Sequence, residues 1–246
     1  MSIEQKFAPT ITNEQTATLP AIRFEGKVQI VDTEQGLIEA CNYLSQHSVI
    51  GFDTETRPSF KAGITNRVAL IQLSTPERCY LFRLCRMKFG RELQHLLENP
   101  DIKKVGADVA GDIRSLNQLR HIRAAGFIDL QTIAPQWGIE EKSLRKLSAI
   151  VLGKRVSKAQ RLSNWEAAQF TEQQISYAAT DAWVCLEILA KLEATPKCNP
   201  APAQEIKAQV EPQKIEQNAE QNAKSRRRPF RRRKPHNSKP TTETKE

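Results

Sequence analysis

The chain has 246 residues, enough for one ordinary domain with appendages, and 39% of them are hydrophobic. Its five cysteines form no C-x-x-C pair and no apolar run approaches the roughly 20 residues that span a bilayer, so the sequence indicates no cysteine zinc site, disulfide framework or membrane span. The formal net charge of +9 is uneven, because residues 197–246 hold 13 Lys or Arg against 6 Asp or Glu, whereas residues 1–196 hold 24 against 22.

The predicted elements begin after residues 1–25, which show little periodicity and are expected to form a loose lead-in. Short apolar runs predict strands at 27–31, 49–52, 68–73, 78–82, 102–105 and 127–129. Apolar residues at helical spacing predict helices at 34–45, 91–97 and 112–121, then a helical stretch from 143 onward with a long helix at 171–192. Strands with helices between them predict an α/β domain with a mixed sheet over residues 26–196.

The composition changes after Pro196, where Pro, Gln, Asn, Lys and Glu dominate and apolar residues are sparse. Such a segment buries too little surface to offset its chain entropy, so residues 197–246 are predicted to form a disordered basic tail. A nearly neutral body with a basic tail favours nucleic acid as the partner, and an acidic membrane surface would suit the tail alone. The basic residues expected to contact nucleic acid are Arg226, Arg227, Arg228, Arg231, Arg232, Arg233 and Lys234.

The expected location follows from the cysteines and the first residues. Unpaired cysteines favour a reducing compartment, and the opening MSIEQKFAPT lacks the apolar core of a secretion signal. We therefore expect a soluble cytoplasmic protein that does not bind membranes. In a eukaryote the basic run would suit a nuclear-import signal, and in a bacterium an RNA-binding arm.

The first motif that carries chemistry is Asp53-Thr54-Glu55, directly after a short apolar strand. Residues i and i+2 of a strand point to the same face, about 7 Å apart. Two carboxylates at the end of a buried strand repel each other unless a cation lies between them, and hard oxygen ligands favour Mg²⁺ or Mn²⁺. The alternative is that Asp53 and Glu55 begin a solvated loop.

Two further motifs carry acidic residues. Tyr177 and Asp181 are i and i+4 in the long final helix and so share one helical face, although a packed Tyr with a solvated Asp would give the same spacing. Asp112 opens a helix after a Gly-bounded turn that begins at Gly106, a position where Asp is usually a cap. Asp108 competes with Asp112 for any role in this third motif.

In combination and order, these motifs resemble the three exonuclease motifs of the DEDD superfamily, in its tyrosine-bearing branch with ribonuclease D and the Werner syndrome exonuclease domain. The matching patterns are Asp53-x-Glu55, Gly106-x5-Asp112 and Tyr177-x3-Asp181, supported by the segments at 68–74 and 163–166. The resemblance covers about residues 27–192 and implies an RNase H-like mixed sheet flanked by helices. Gly111 stands where ribonuclease D has an aromatic residue, which favours the Werner-like subgroup.

The resemblance implies a 3′–5′ exonuclease that uses two divalent cations, Mg²⁺ or Mn²⁺, and releases nucleoside 5′-monophosphates from DNA or RNA. By resemblance, Asp53, Glu55 and Asp181 hold the first metal. Asp53 bridges to the second metal, which Asp112 supports through water. Tyr177 and Glu55 orient the attacking water.

The loop after the first motif offers candidate contacts to nucleic acid. Arg57, Lys61 and Arg67 could bind phosphates and Phe60 could stack on a base, or the whole loop could be solvated. Two alternatives to an exonuclease stay open at this point. One is a non-catalytic nucleic-acid-binding protein that uses the domain as a scaffold, and the other is an RNase H-like nuclease that cuts internally.

Overall fold

A computed structural model of the chain describes residues 6–59 and 66–198. Within these ranges six strands form one sheet in the order β1-β4-β3-β2-β5-β6. The β2–β3 and β3–β4 pairs are antiparallel, whereas β1–β4, β2–β5 and β5–β6 are parallel. This arrangement confirms the predicted α/β domain with a mixed sheet. The strands are β1 (Lys27–Val31), β2 (Val49–Thr56), β3 (Val68–Ser74), β4 (Arg78–Arg83), β5 (Lys103–Gly106) and β6 (Phe127–Asp129).

Seven α-helices accompany the sheet in the described ranges, with one 3₁₀ turn, Ala134–Trp137. None of these helices is long and apolar enough to cross a membrane. The longest helix begins with a capping box, in which the Thr171 and Gln174 side chains accept each other's backbone N–H. The helices are α1 (Asn13–Thr18), α2 (Glu34–Leu44), α3 (Arg91–Glu98), α4 (Val109–Asn117), α5 (Leu130–Ile133), α6 (Leu144–Leu152) and α7 (Glu172–Glu193).

The two faces of the sheet are covered by different helices. Ile50 and Phe52 of β2 and Ile71 of β3 belong to one buried cluster with residues of α2, α3 and α4. Leu70 of β3 and Leu81 of β4 point to the opposite face, where they cluster with alanines of α7. Because side chains alternate along a strand, Asp53 and Glu55 lie on the α7 face.

The lead-in differs from the loose segment expected for residues 1–25. It contains α1, whose Thr16 is fully buried, and a bridge that pairs Ala21 with Arg155. Phe24 is buried and donates its backbone N–H to the hydroxyl of Thr180 on α7. These contacts join residues far apart in the chain, so no local periodicity reveals them.

The helical stretch predicted from residue 143 onward was wrong in its middle. Helix α6 ends at Leu152 and is capped by Gly153, which has a φ of 63°, and irregular chain continues until α7 begins at Glu172. Trp165 is fully buried within this irregular segment and packs edge-on against Phe170. Burial of an aromatic anchor, and not helical hydrogen bonding, therefore fixes the path of the segment into α7.

The predicted tail begins inside the described part of the chain but extends beyond it. Lys197 lies with its ammonium 5.0 Å from the centre of the Trp137 ring, and Cys198 is half-buried. The rest of the tail, residues 199–246, lies outside the described residues. The prediction of disorder therefore concerns residues that the structure does not describe. The same is true of the predicted nucleic-acid contacts Arg226, Arg227, Arg228, Arg231, Arg232, Arg233 and Lys234.

Candidate functional site

Strand β2 carries two carboxylates toward α7 as it leaves the core. Gly51 and Phe52 are buried, whereas Asp53 and Glu55 are half-buried at the end of the strand. Each faces a residue of β3, with Asp53 opposite Gln72 and Glu55 opposite Leu70. The spacing predicted from sequence therefore puts both carboxylates on one side of the sheet.

Helix α7 adds a third carboxylate to this pair. One carboxylate oxygen from each of Asp53, Glu55 and Asp181 lies within 4.8 Å of the other two. Asp181 is only 6% exposed, and its Oδ1 has no hydrogen-bond partner within the described ranges. Such a buried, unpaired oxygen is costly unless a cation or solvent meets it. The three oxygens form a set that suits a hard divalent cation.

The third motif places Asp112 in the first turn of α4, where Oδ1 accepts a 2.6 Å hydrogen bond from the hydroxyl of Thr54. Thr54 lies between Asp53 and Glu55, so this bond ties α4 to the carboxylate pair. Asp112 is nevertheless outside the group of three oxygens that lie within 4.8 Å of one another.

The competing residue Asp108 has a structural position. It is the N-cap of α4 with a φ of 66°, and it makes no side-chain capping hydrogen bond. Asp129 at the end of β6 instead accepts the backbone N–H groups of Asp108 and Val109. The helix consequently begins at Val109, three residues before the predicted start, and Asp112 projects toward β2.

Burial raises the pKa of every carboxyl in the site, and repulsion between carboxylates adds to the shift for Asp53, Glu55 and Asp112. Burial, followed by repulsion from neighbouring carboxylates, raises the pKa of Glu55 to about 10 and that of Asp112 to about 8. Burial and then the charge of Asp181 also raise the pKa of Asp53 well above its usual range. Burial raises the pKa of Asp181 to about 7, although interaction with the Tyr177 hydroxyl acts the other way. A divalent cation would offset the repulsion between the carboxylates and favour their ionised forms in spite of burial.

Tyr177 lies one turn before Asp181 on α7 and stays protonated. Burial, with the Asp181 and Glu55 carboxylates next in importance, raises the pKa of its phenol above the ordinary value. Its ring packs against the ring of Trp165, with 6.0 Å between the centroids. The segment at 163–166 therefore has a positional role, because Trp165 supports the ring that carries the hydroxyl.

The predicted nucleic-acid contacts after β2 are only partly visible. Arg57 donates to Glu166 at 3.3 Å, and Arg67 lies exposed just before β3. Phe60 and Lys61 lie outside the described residues. The structure thus gives Arg57 an exposed ion pair across to the segment before α7, a contact that the sequence did not indicate.

Sequence reasoning missed Arg161, which lies exposed in the irregular segment before α7. Among the described residues, Arg161 is the cation whose charge acts on Glu55, and it lowers the pKa of that carboxyl against the larger effects of burial and the other carboxylates. The adjacent Leu162 has 61% of its surface exposed, which is unusual for a large apolar side chain in the described part of the chain. No local pattern marks these residues, because the segment has neither helical nor strand periodicity.

Comparison with known proteins gives a consistent result for the region that holds the site. The model of a family described as 3′–5′ exonuclease matches residues 28–195. The mouse bifunctional 3′–5′ exonuclease/ATP-dependent helicase WRN is 41% identical over 155 residues, which cover 61% of this chain and 11% of WRN. The exonuclease 3′–5′ domain-containing protein 2 of Drosophila melanogaster is 36% identical over 180 residues, covering 71% of this chain and 30% of the relative.

Solved structures show the same fold. The Nibbler EXO domain of Aedes aegypti superposes with a TM-score of 0.64 and 25% identity, covering 71% of this chain and 92% of the domain. Escherichia coli RNase D superposes with a TM-score of 0.60 and 24% identity, covering 68% of this chain and 46% of that chain. The chain thus spans less than a third of the two curated relatives described above, but nearly the whole of the isolated EXO domain.

Proposed function

The chain belongs to the family of 3′–5′ exonucleases, and from this premise we propose that it removes nucleotides from the 3′ end of DNA or RNA with two divalent cations. The observation that carries the proposal is the convergence of Asp53, Glu55 and Asp181 within 4.8 Å, with Tyr177 on the same helical face as Asp181. The alternative of a non-catalytic scaffold is not favoured, because the chain retains all four carboxylates and the tyrosine of the family motifs.

The chemistry of the residues in the site suits a divalent cation. The partnerless Oδ1 of Asp181 and the raised pKa values of Asp53 and Glu55 both indicate that the ionised carboxylates lack a compensating positive charge. Asp53, Glu55 and Asp181 would hold one cation. Asp53 would reach a second, which Asp112 would support through water. Divalent cations bound here would stabilise the charge that develops on the attacking and leaving oxygens of a phosphodiester.

The protein's own groups position the reacting water. The protonated phenol of Tyr177 can hydrogen-bond the attacking water, and the Glu55 carboxylate, which a bound cation would keep ionised, can accept a proton from it. The water oxygen forms a bond to phosphorus as the bond from phosphorus to the 3′ oxygen of the preceding nucleotide breaks. A proton returns to that oxygen, so the products are a nucleoside 5′-monophosphate and a strand one nucleotide shorter with a 3′ hydroxyl.

Exposed residues beside the carboxylates would hold the strand. The guanidinium of Arg161 acts on Glu55 through its charge and is open to solvent, which suits a contact to a phosphate near the scissile bond. Leu162 beside it offers an apolar surface to a base or sugar. The seven basic residues between 226 and 234 would add contacts to phosphates that do not depend on sequence.

The proposal is tested with 5′-labelled DNA and RNA strands, single and double, incubated with purified protein and Mg²⁺ or Mn²⁺. We expect a ladder of labelled products that shortens by one nucleotide at a time from the 3′ end of at least one substrate. The ladder should disappear in chelator and in Asp181→Asn. The absence of cleavage on all four substrates with either metal would contradict the proposal.

A further inference from the structure

Gln72 is a buried glutamine that the proposed mechanism does not use. It lies in the middle of β3 with a fully buried side chain, and neither Nε2 nor Oε1 has a hydrogen-bond partner within the described ranges. Buried amides are almost always paired, because an unpaired one has lost its water without a replacement. We therefore expect the Gln72 amide to have a hydrogen-bond partner in some state of the protein.

One of the two residues directly opposite Gln72 in the sheet is ionisable, and the ionisable residues Glu55, Cys79 and Arg83 lie diagonally on the same face. Its register partners are Asp53 on β2 and Leu81 on β4, and Leu70 lies two residues away on the same face. Ser74, two residues away in the other direction, donates its hydroxyl to the Thr75 carbonyl. Facing residues of an antiparallel pair have Cβ atoms about 5 Å apart, so the glutamine amide is within reach of the Asp53 carboxylate.

Apolar residues flank Gln72 on this face of the sheet. Leu70 and Leu81 belong to the same buried cluster as Ala178 and Ala179 of α7, and these small residues bring the helix close to the sheet. An amide in such a place gains nothing from packing that a leucine or methionine would not supply. The carboxylate opposite it in the register is Asp53 of the cluster.

We propose that Gln72 is a positioning residue that donates its Nε2–H to the Asp53 carboxylate when that carboxylate holds metal. This hydrogen bond would fix which oxygen of Asp53 faces the cation, as residues that hydrogen-bond to metal ligands commonly do. A hydrogen bond to a carboxylate is stronger than one between neutral groups, so binding of the metal and pairing of the amide would favour each other. This inference rests on the proposed metal site.

If Gln72 has this role, replacing it should leave unchanged or raise the melting temperature of the metal-free protein and should lower its affinity for Mn²⁺. Gln72→Met keeps the length of the side chain and removes the unpaired amide, so the metal-free protein should melt at the same temperature or higher. The same variant should bind Mn²⁺ about tenfold more weakly. This is the lower end of the loss of metal affinity that is usual when a residue that hydrogen-bonds to a metal ligand is replaced. Raising the Mn²⁺ concentration should restore cleavage to near the wild-type rate, since the metal ligands are intact. A purely structural glutamine would show a lower melting temperature instead.

The experiment measures Mn²⁺ binding to the full chain without substrate, from the electron paramagnetic resonance signal of free Mn²⁺, together with melting in chelator. Gln136→Met is the matched control, because Gln136 is also buried with an unpaired Oε1 but lies in the 3₁₀ turn outside the carboxylate cluster. The control should bind Mn²⁺ like the wild type. Gln72→Leu serves as a second variant.

Three results would overturn the proposed role of Gln72. Wild-type protein that binds no Mn²⁺ would overturn the metal site and the inference with it. Wild-type binding with equal affinity in Gln72→Met and Gln72→Leu would overturn the inference alone. A clear drop in the metal-free melting temperature of both variants, or their failure to fold, would show that Gln72 is structural and would also overturn it.

Discussion

The carbonyl of Ala182 on α7 lies directly over Gly51 on β2, so closely that a Cβ at residue 51 would overlap the carbonyl oxygen and come 2.8 Å from the carbonyl carbon. This contact sets the height of α7 above the sheet. Asp181 precedes Ala182 and Asp53 follows Gly51 by two residues. The approach of two backbones therefore decides whether carboxylates from the two elements can meet.

Gly51→Ala should accordingly push α7 away from the sheet and separate Asp53 from Asp181. We expect a loss of stability of about 3 kcal/mol, at the upper end of the usual cost of overpacking, together with loss of metal binding. Gly153→Ala is the control, because nothing lies within 4 Å of an added Cβ there and only the positive φ is penalised, by about 1 kcal/mol. Denaturant unfolding and Mn²⁺ titration measure both effects, and a Gly51→Ala protein with wild-type Mn²⁺ affinity would contradict the account.

Asp53→Asn should abolish cleavage and stabilise the metal-free protein. Burial and the charge of Asp181 raise the pKa of Asp53, so removing its charge relieves repulsion in the folded state. Each kcal/mol gained should raise the melting temperature in chelator by about 2–4 °C for a chain of this size. Asp101→Asn, at an exposed position, should leave the melting temperature unchanged. A melting temperature lowered by Asp53→Asn would show that Asp53 supports the fold through a partner.

The metal-free protein should lose stability as the pH rises from 5 to 7.5. The folded pKa values of Glu55, Asp112 and Asp181, at about 10, 8 and 7, lie above those of the unfolded chain, so the folded state binds more protons in this window. Stability is then greatest in acid and falls with rising pH. The window stops below the pKa of Lys104, which burial lowers to about 8 and which acts in the opposite direction above that pH.

Saturating metal should reverse this dependence, because the cation competes with protons for the same oxygens. The test is a set of melting curves between pH 5 and 7.5, in chelator and in excess Mn²⁺. The melting temperature should fall with pH in chelator and the stabilisation by Mn²⁺ should grow. A melting temperature in chelator that rises over the same range would mean that the carboxylates have cationic partners in the folded protein.

Tyr177→Phe should slow the chemical step by about 10²-fold, since the phenol that orients the attacking water is lost. The ring still packs against Trp165, so stability and Mn²⁺ affinity should hardly change. Tyr43→Phe on α2, at the opposite face of the sheet, should cleave like the wild type. Single-turnover rates at saturating protein measure the effect, and a wild-type rate in Tyr177→Phe would remove the hydroxyl from the mechanism.

The parts of the fold and site that could be predicted are those with local patterns. The apolar run before Asp53, the i and i+2 spacing to Glu55 and the i and i+4 spacing from Tyr177 to Asp181 all follow from the geometry of a single element. Strand β2 accordingly lies where the sequence predicts it, although it continues to Thr56.

Features that depend on distant residues could not be predicted in this way. Helix α4 begins at Val109 because the Asp129 carboxylate, at the end of β6, accepts the backbone N–H groups of Asp108 and Val109. The position of Gln72 opposite Asp53 depends on the register of β2 with β3, which shifts between Glu55 and Thr56 and leaves no local mark in the sequence. Arg161 acts on Glu55 through its charge from an irregular segment that has no periodicity and contains the buried Trp165.

The end from which the strand is degraded is the most direct test of the central claim. A 5′-labelled linear strand and a closed circle of the same sequence are incubated with full-length protein and Mn²⁺, using whichever of DNA or RNA is the better substrate. We expect a ladder that descends from the 3′ end of the linear strand, no cutting of the circle, and no cutting of either by Asp181→Asn. Cleavage of the circle, or a linear strand that releases its 5′-labelled nucleotide first, would contradict a 3′–5′ exonuclease site built on Asp53, Glu55 and Asp181.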